Sequence, residues 1–98
     1  MGPETCSDEV YKPRYRWRET WPGESKQDFS GYDAEELFGR IQVDTTTSGK
    51  ENLWRWNGGF ASWVRQRIMP QQGWAATARE ASRMVEEHYA KLKEMHGR

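Results

Sequence analysis

The chain has 98 residues, of which 35% are hydrophobic and 31% are charged, and its mean hydropathy is -1.11. One small domain with a small core is therefore the upper limit, and the aromatic residues, 13% of the chain, must supply much of the buried surface. The 15 basic and 15 acidic residues cancel, which excludes a strong overall attraction to nucleic acid or to anionic membranes.

Residues 1–26 are predicted to form a mostly flexible arm, because prolines interrupt any helix there and no apolar period is present. Within the arm, the segment YKPRYRWR (residues 11–18) interleaves aromatic and basic residues without an acid. The arm holds too many aromatic residues for a free tail, so we expect part of it to dock on the domain.

Residues 27–96 are predicted to be one domain that opens with strands. Phe29 to Tyr32 predicts a short strand, and Glu36 to Asp44 alternates with the period of two that a half-buried strand shows. Leu37, Ile41 and Val43 are expected to face the helix. The polar residues 45–50 predict a hairpin loop, with a glycine supplying positive φ.

A returning strand is predicted from about Asn52, with Trp54 and Trp56 on one face. We interpret these two residues as core, and the alternative is a platform on which bases stack. Phe60 to Met69 also alternates and predicts a further strand, which Pro70 ends. The residues after that proline are interpreted as the approach to a helix.

Thr77 and Glu80 have the spacing of a capping box, which opens a helix through two reciprocal hydrogen bonds. The apolar residues that follow share one face of a 3.6-residue period: Ala78, Ala81, Met84, Val85, Tyr89, Leu92 and Met95. The sequence therefore predicts an α+β fold, a three- or possibly four-stranded antiparallel sheet with one long C-terminal helix packed on one face.

The segments ELFGRI, ENLWRWNGGF and GWAATAREASRMVEEHY resemble a pattern of small, mostly uncharacterised proteins of rhizobia and related bacteria. The resemblance covers roughly residues 15–92 and implies a fold without an activity. More loosely, the chain is similar to the three-stranded sheet plus helix of AP2-type and integrase arm-binding domains, which read the major groove of DNA with the sheet. It differs from those domains in its zero net charge and in its fewer Lys and Arg on the strands.

Four arginines, Arg40, Arg55, Arg65 and Arg67, are expected to cluster on the sheet face opposite the helix if the strands pair as predicted. Such a face offers donors for phosphates and guanine edges. The alternative is that they are solvated arginines whose stems cover aromatic rings. The sequence leaves the exposure of Trp63 and Trp74 undecided, and an exposed pair would indicate a partner surface.

The arm supplies a second candidate surface, Arg14, Arg16, Trp17 and Arg18. Basic and aromatic residues alternate in this way in minor-groove arms and RNA-binding tails, and also in simple packing extensions. Both interpretations remain open from the sequence.

Catalytic, cofactor and metal sites are not predicted. His88 and His96 are about 12 Å apart along a helix, too far to bind one metal, and the single cysteine, Cys6, lies in the arm. One cysteine excludes an intrachain disulfide and fits a reducing compartment. No apolar run approaches the roughly 18 residues of a membrane span. We expect a cytoplasmic protein without membrane contact.

Two functional hypotheses follow. The first is a non-catalytic protein-interaction or regulatory module that uses exposed aromatic residues and that forms a homodimer in one version, since a core this small often needs support. The alternative is a nucleic-acid-binding domain that uses the exposed sheet face and the basic arm. An enzyme is the least favoured class.

Overall fold

The computed structural model describes residues 13–24, 27–46 and 48–98. The predictions that concern residues 1–12, including Cys6 and the first two residues of YKPRYRWR, lie outside these described residues. The same holds for residues 25 and 26 of the predicted arm and for Thr47 of the predicted hairpin loop.

Five antiparallel strands and a C-terminal helix make up the described fold. The strands are β1 (Arg16–Glu19), β2 (Asp28–Asp33), β3 (Glu36–Val43), β4 (Trp54–Asn57) and β5 (Gln72–Ala75), and the helix is α1 (Ala78–Met95). The strands lie in the sheet in chain order, each paired with the next. The predicted α+β class is confirmed, whereas the predicted count of three or four strands is wrong.

Helix α1 begins as its sequence predicts. The Thr77 side chain accepts a hydrogen bond from the Glu80 backbone N–H at 3.1 Å, which satisfies one of the free donors of the first turn. The Glu80 carboxylate binds the Arg83 guanidinium one turn further along instead of completing the capping box. Most of the predicted apolar face is turned to the sheet, and its last residue, Met95, is 48% exposed.

The core lies between this helix and one face of the sheet. Its buried aliphatic and aromatic members are Phe38, Ile41, Trp56, Ala61, Ala81, Val85 and Tyr89. The Phe38 ring stacks on Tyr89 with the centroids 4.5 Å apart. Gly39 lies directly under Val85, where a Cβ would overlap the Val85 side chain. The glycine therefore sets how closely the helix can approach β3.

A β-bulge shifts the expected pattern of β3. Gly31 of β2 is opposite Gly39, but the next residue, Tyr32, is opposite Leu37, so that Phe38 is the extra residue. The bulge turns Phe38 into the core, while Leu37 shares the opposite face with Tyr32. The prediction that Leu37 faces the helix is therefore wrong, because simple alternation does not survive a bulge.

Residues 60–69, predicted to be a strand, form turns and irregular structure. Their backbone uses other partners: the N–H groups of Arg65 and Gln66 donate to His96 Nε2, and the Ile68 carbonyl accepts from His88 Nε2. The strand that pairs with β4 is β5, in the segment predicted to be only the approach to the helix.

The first strand, β1, lies within the segment predicted to be an arm. It pairs with β2 along Arg16 to Glu19, and the Trp17 ring packs edge-on against Phe38 at 5.7 Å. The expected docking of part of residues 1–26 therefore takes the form of an edge strand of the sheet.

Candidate functional site

No other helix or strand of the described residues packs on the side of the sheet that faces away from α1. Alternation along each strand places polar and aromatic residues there, and the register aligns them in rows across the sheet. We call this surface the open sheet face. It contains Arg16 and Arg18 from β1, Asp28, Ser30 and Tyr32 from β2, Leu37, Arg40 and Gln42 from β3, Arg55 and Asn57 from β4, and Gln72 and Trp74 from β5.

A buried carboxylate belongs to the open sheet face. Asp28 is only 7% exposed and receives the Arg40 guanidinium through two nitrogens, with a third hydrogen bond from Trp21 Nε1 at 3.2 Å. Burial alone would raise the pKa of Asp28, but the hydrogen bonds from Arg40, Thr20 and Trp21 together hold this pKa below its usual value. Arg40 is therefore committed to an internal pair.

A second group of interactions surrounds Trp74 at the β5 end of the face. The Lys50 ammonium lies 5.2 Å from the indole centroid and the Arg55 guanidinium 5.6 Å from it. Arg55 also donates to the Gln72 side chain at 2.9 Å, and the indole N–H donates to Asp44 at 2.8 Å. Cationic and aromatic groups are thus held together in fixed positions, as at the energetic centres of protein interfaces.

At the β1 end, three arginines line a groove of about 730 Å³ beside the turn that joins β2 to β3. Arg14, Arg16 and Arg18 form one side, and Tyr32 and Glu35 belong to the other. We call this the arginine groove. The Arg18 guanidinium lies 5.5 Å from the Tyr32 centroid, which fixes one of the three cations over a ring.

The strand that carries these arginines is tied to the helix by Glu86. This carboxylate is buried, at 4% exposure, and accepts hydrogen bonds from the N–H groups of Arg14 at 3.0 Å and Tyr15 at 3.3 Å. It also accepts from Trp17 Nε1 at 2.9 Å. Glu86 therefore holds the start of β1 in place, a role that the sequence does not indicate because the three partners lie 69 to 72 residues away along the chain.

The structure separates the four arginines that were predicted to cluster. Arg40 and Arg55 lie on the open sheet face, on the neighbouring strands β3 and β4. Arg65 and Arg67 lie in the irregular segment that packs beside the C-terminal end of α1. Arg16 and Arg18, from the segment predicted to be an arm, lie on the same face as Arg40 and Arg55, at its β1 end.

Neither of the two tryptophans predicted as site residues, Trp63 and Trp17, lies on the open sheet face. Trp63 packs against Tyr89 at 5.8 Å and His96 at 5.3 Å, with the Arg98 guanidinium 4.7 Å from its centroid. Trp17 turns toward the core. Trp74, whose exposure the sequence left undecided, does lie on this face. Its strand, β5, has only four residues, too few for alternation to identify it from the sequence.

Histidine, cysteine and carboxylate side chains in the described ranges form no group of three or more with the spacing of a metal site. Within the same ranges, no helix has the length and apolar character to cross a membrane. Comparison of the chain with protein-family models, curated proteins and solved structures finds no match. The resemblances stated from the sequence therefore stay predictions.

Proposed function

We propose that this protein is a non-catalytic binding module that docks a protein partner with an acidic surface on the open sheet face. The observation that carries the proposal is the charge of that face. Outside the Arg40–Asp28 pair, its cationic side chains are Arg16, Arg18, Arg55 and, from the adjoining loop, Lys50. Its two carboxylates, Asp28 and Asp44, are both engaged by neighbouring side chains. The charge left on the face is therefore positive, and an acidic surface on the partner is complementary to it.

The aromatic residues of the face favour a protein partner over nucleic acid. A base needs an uncovered ring to stack on, but the Trp74 ring already has Lys50 and Arg55 beside it, and Tyr32 has Arg18. Tryptophan, tyrosine and arginine held together are also the residues most enriched at protein interfaces. Nucleic acid is therefore the alternative ligand against which the protein partner is tested.

Structural use of both histidines supports binding without catalysis. His88 is buried and its Nε2 hydrogen-bonds the Ile68 carbonyl at 2.9 Å. His96 accepts the Arg65 N–H at 2.9 Å through Nε2, and its Nδ1 hydrogen-bonds the Leu92 carbonyl at 2.8 Å. Neither ring is placed as a general base toward a ligand. The same proposal places the protein in the cytoplasm, which the single cysteine of the sequence supports.

The test uses isotope-labelled protein and two probes in NMR titrations. The first probe is a short synthetic peptide rich in glutamate and tyrosine, and the second is an oligothymidine of the same net charge. We expect the peptide to shift the amide signals of β3, β4 and β5 around Arg55 and Trp74. Reversing Lys50 and Arg55 to glutamate should weaken peptide binding by about tenfold or more, because two interface contacts of about 1 kcal/mol each are lost.

The matched control reverses Arg65 and Arg67 to glutamate, which changes the net charge equally but lies off the open sheet face. At about 0.15 M salt, where charges more than about 8 Å apart are largely screened, this variant should bind like the original protein. Equal losses in the two double variants would refute a defined docking face. Binding of the oligothymidine alone would replace the protein partner by nucleic acid.

A further inference from the structure

The arginine groove brings together cations that have no acidic partner among the described residues. Three cations elsewhere are paired instead: Arg40 binds Asp28, Arg83 binds Glu80 and Glu87, and Lys93 lies 3.6 Å from Asp33. Within the described residues, the guanidinium groups of Arg14, Arg16 and Arg18 form no ion pair. Three cations without ion pairs therefore line one side of a cavity that has Asp33 and Glu35 on its other side.

These arginines are also held in place by their backbone. Arg16 and Arg18 are paired with Tyr32 and Ser30 in the sheet, and the Arg14 N–H is bound to the buried Glu86. A ligand that binds the groove would consequently have little backbone to order. The backbone of the groove is therefore in place before a ligand arrives, and the Arg18 guanidinium is held beside the Tyr32 ring.

We infer that the arginine groove binds a phosphate monoester carried on the protein partner, such as a phosphorylated serine or tyrosine side chain. This inference rests on the proposed function, because it places the phosphate at one end of the open sheet face. A phosphate monoester brings a charge of about -1.5 to -2 and three acceptor oxygens. Several arginine forks satisfy these oxygens together, whereas a single carboxylate has two oxygens and one charge.

The acidic side of the groove favours this compact anion over a nucleic-acid backbone. Glu35 lies on the turn opposite the arginines, and Asp33 lies beside it, already engaged by the Tyr89 hydroxyl at 2.8 Å and by Lys93. A single phosphate can lie against the arginines and avoid these carboxylates. A continuous row of phosphates along the groove would pass them and be repelled.

The experiment compares three peptides that differ at one position, which carries phosphoserine, glutamate or serine. Calorimetry measures their affinity for the protein, and NMR locates the binding. We expect the phosphoserine peptide to bind about tenfold or more tightly than the glutamate peptide, since the phosphate adds charge and a third acceptor oxygen for the arginine forks. The extra shifts should fall on β1 and the turn after β2.

Variants then assign the preference to the groove. Replacing Arg16 and Arg18 by glutamine should abolish the preference for phosphoserine, while the same change at Arg65 and Arg67 should leave it intact. Replacing Arg16 and Arg18 by lysine keeps the charge but removes the fork geometry, so only part of the preference should remain. All four positions are exposed, and thermal unfolding verifies that each variant is folded.

The results separate this inference from the function on which it rests. Equal affinity for the phosphoserine and glutamate peptides, with shifts still on the open sheet face, overturns the inference and leaves the docking function standing. A phosphoserine preference that survives the glutamine variant overturns it as well. An oligothymidine that displaces the phosphopeptide from β1 and binds more tightly assigns the groove to nucleic acid. Absence of binding by all three peptides refutes both proposals.

Discussion

Replacing Glu86 by glutamine tests how the first strand is held to the rest of the fold. The carboxylate accepts from the backbone of Arg14 and Tyr15 and from the Trp17 indole, at distances of 3.0, 3.3 and 2.9 Å. Each hydrogen bond to a charged group contributes about 1.5–3 kcal/mol. The glutamine side chain keeps one oxygen acceptor. Its NH2 group is a donor, however, and would face an N–H donor of the first strand, so that at least one hydrogen bond is lost. We therefore expect a loss of about 2–4 kcal/mol, a large part of the roughly 5–15 kcal/mol that stabilises a domain.

Urea unfolding followed by tryptophan fluorescence measures the global loss, and hydrogen exchange at the β1 amides reports local release of the strand. The neighbouring Glu87 is the matched control, because its exposed carboxylate pairs with Arg83 at 2.7 Å on the helix surface. Its replacement by glutamine should cost no more than about 0.5 kcal/mol. If the two variants agree within that margin, and β1 exchanges equally in both, Glu86 does not anchor the strand.

Three further predictions concern the core, the central ion pair and the helix start. Gly39→Ala should destabilise the domain by about 1–3 kcal/mol in urea unfolding, because the new Cβ overlaps Val85 and the helix must shift; unchanged stability would contradict the close packing. Because the folded-state pKa of Asp28 is lowered, its carboxylate stabilises the fold above about pH 4 and loses that effect as the pH falls further. Asp28→Asn should therefore flatten the stability curve below about pH 4, and an unaltered acid limb would show that the pairing with Arg40 is unimportant. Thr77→Ala should cost about 1 kcal/mol in thermal unfolding, whereas Thr77→Asn should cost little.

The helix and the two central strands were predictable because their signals are local. The capping residue Thr77 and the 3.6-residue period define α1, and alternation across Ile41 and Trp56 defines β3 and β4. Each of these patterns arises within a single helix or strand that has one buried face, so no distant residue is needed to recognise it. The predicted pairing of these strands and the position of the helix followed from chain order.

The edge strands and the irregular segment depend instead on distant residues. The segment 60–69 alternates like a strand, but its N–H groups bind the His96 ring, which is about thirty residues away along the chain. Strand β5 contains Gly73, which reads as a turn residue; in the fold, the glycine leaves room for the Trp56 indole, which would come 2.8 Å from a Cβ there. No local pattern contains either contact.

The same dependence limits what could be predicted of the candidate site. The arginines of the arm and of the central strands were recognised, but their grouping follows from where β1 and residues 60–69 lie. Arg65 and Arg67 do not lie on the open sheet face, because their segment packs beside the helix. Trp74 does lie on that face, because β5 pairs with β4.

The attachment of β1 through one buried carboxylate makes the groove and the helix thermodynamically linked. Arg16 and Arg18 form the groove only while their strand is docked, so any molecule that requires both of them favours the docked strand by mass action. The apparent affinity is reduced by whatever fraction of molecules has the strand released. A change at Glu86, on the far side of the sheet from the ligand, would therefore weaken binding without altering a single group that touches it.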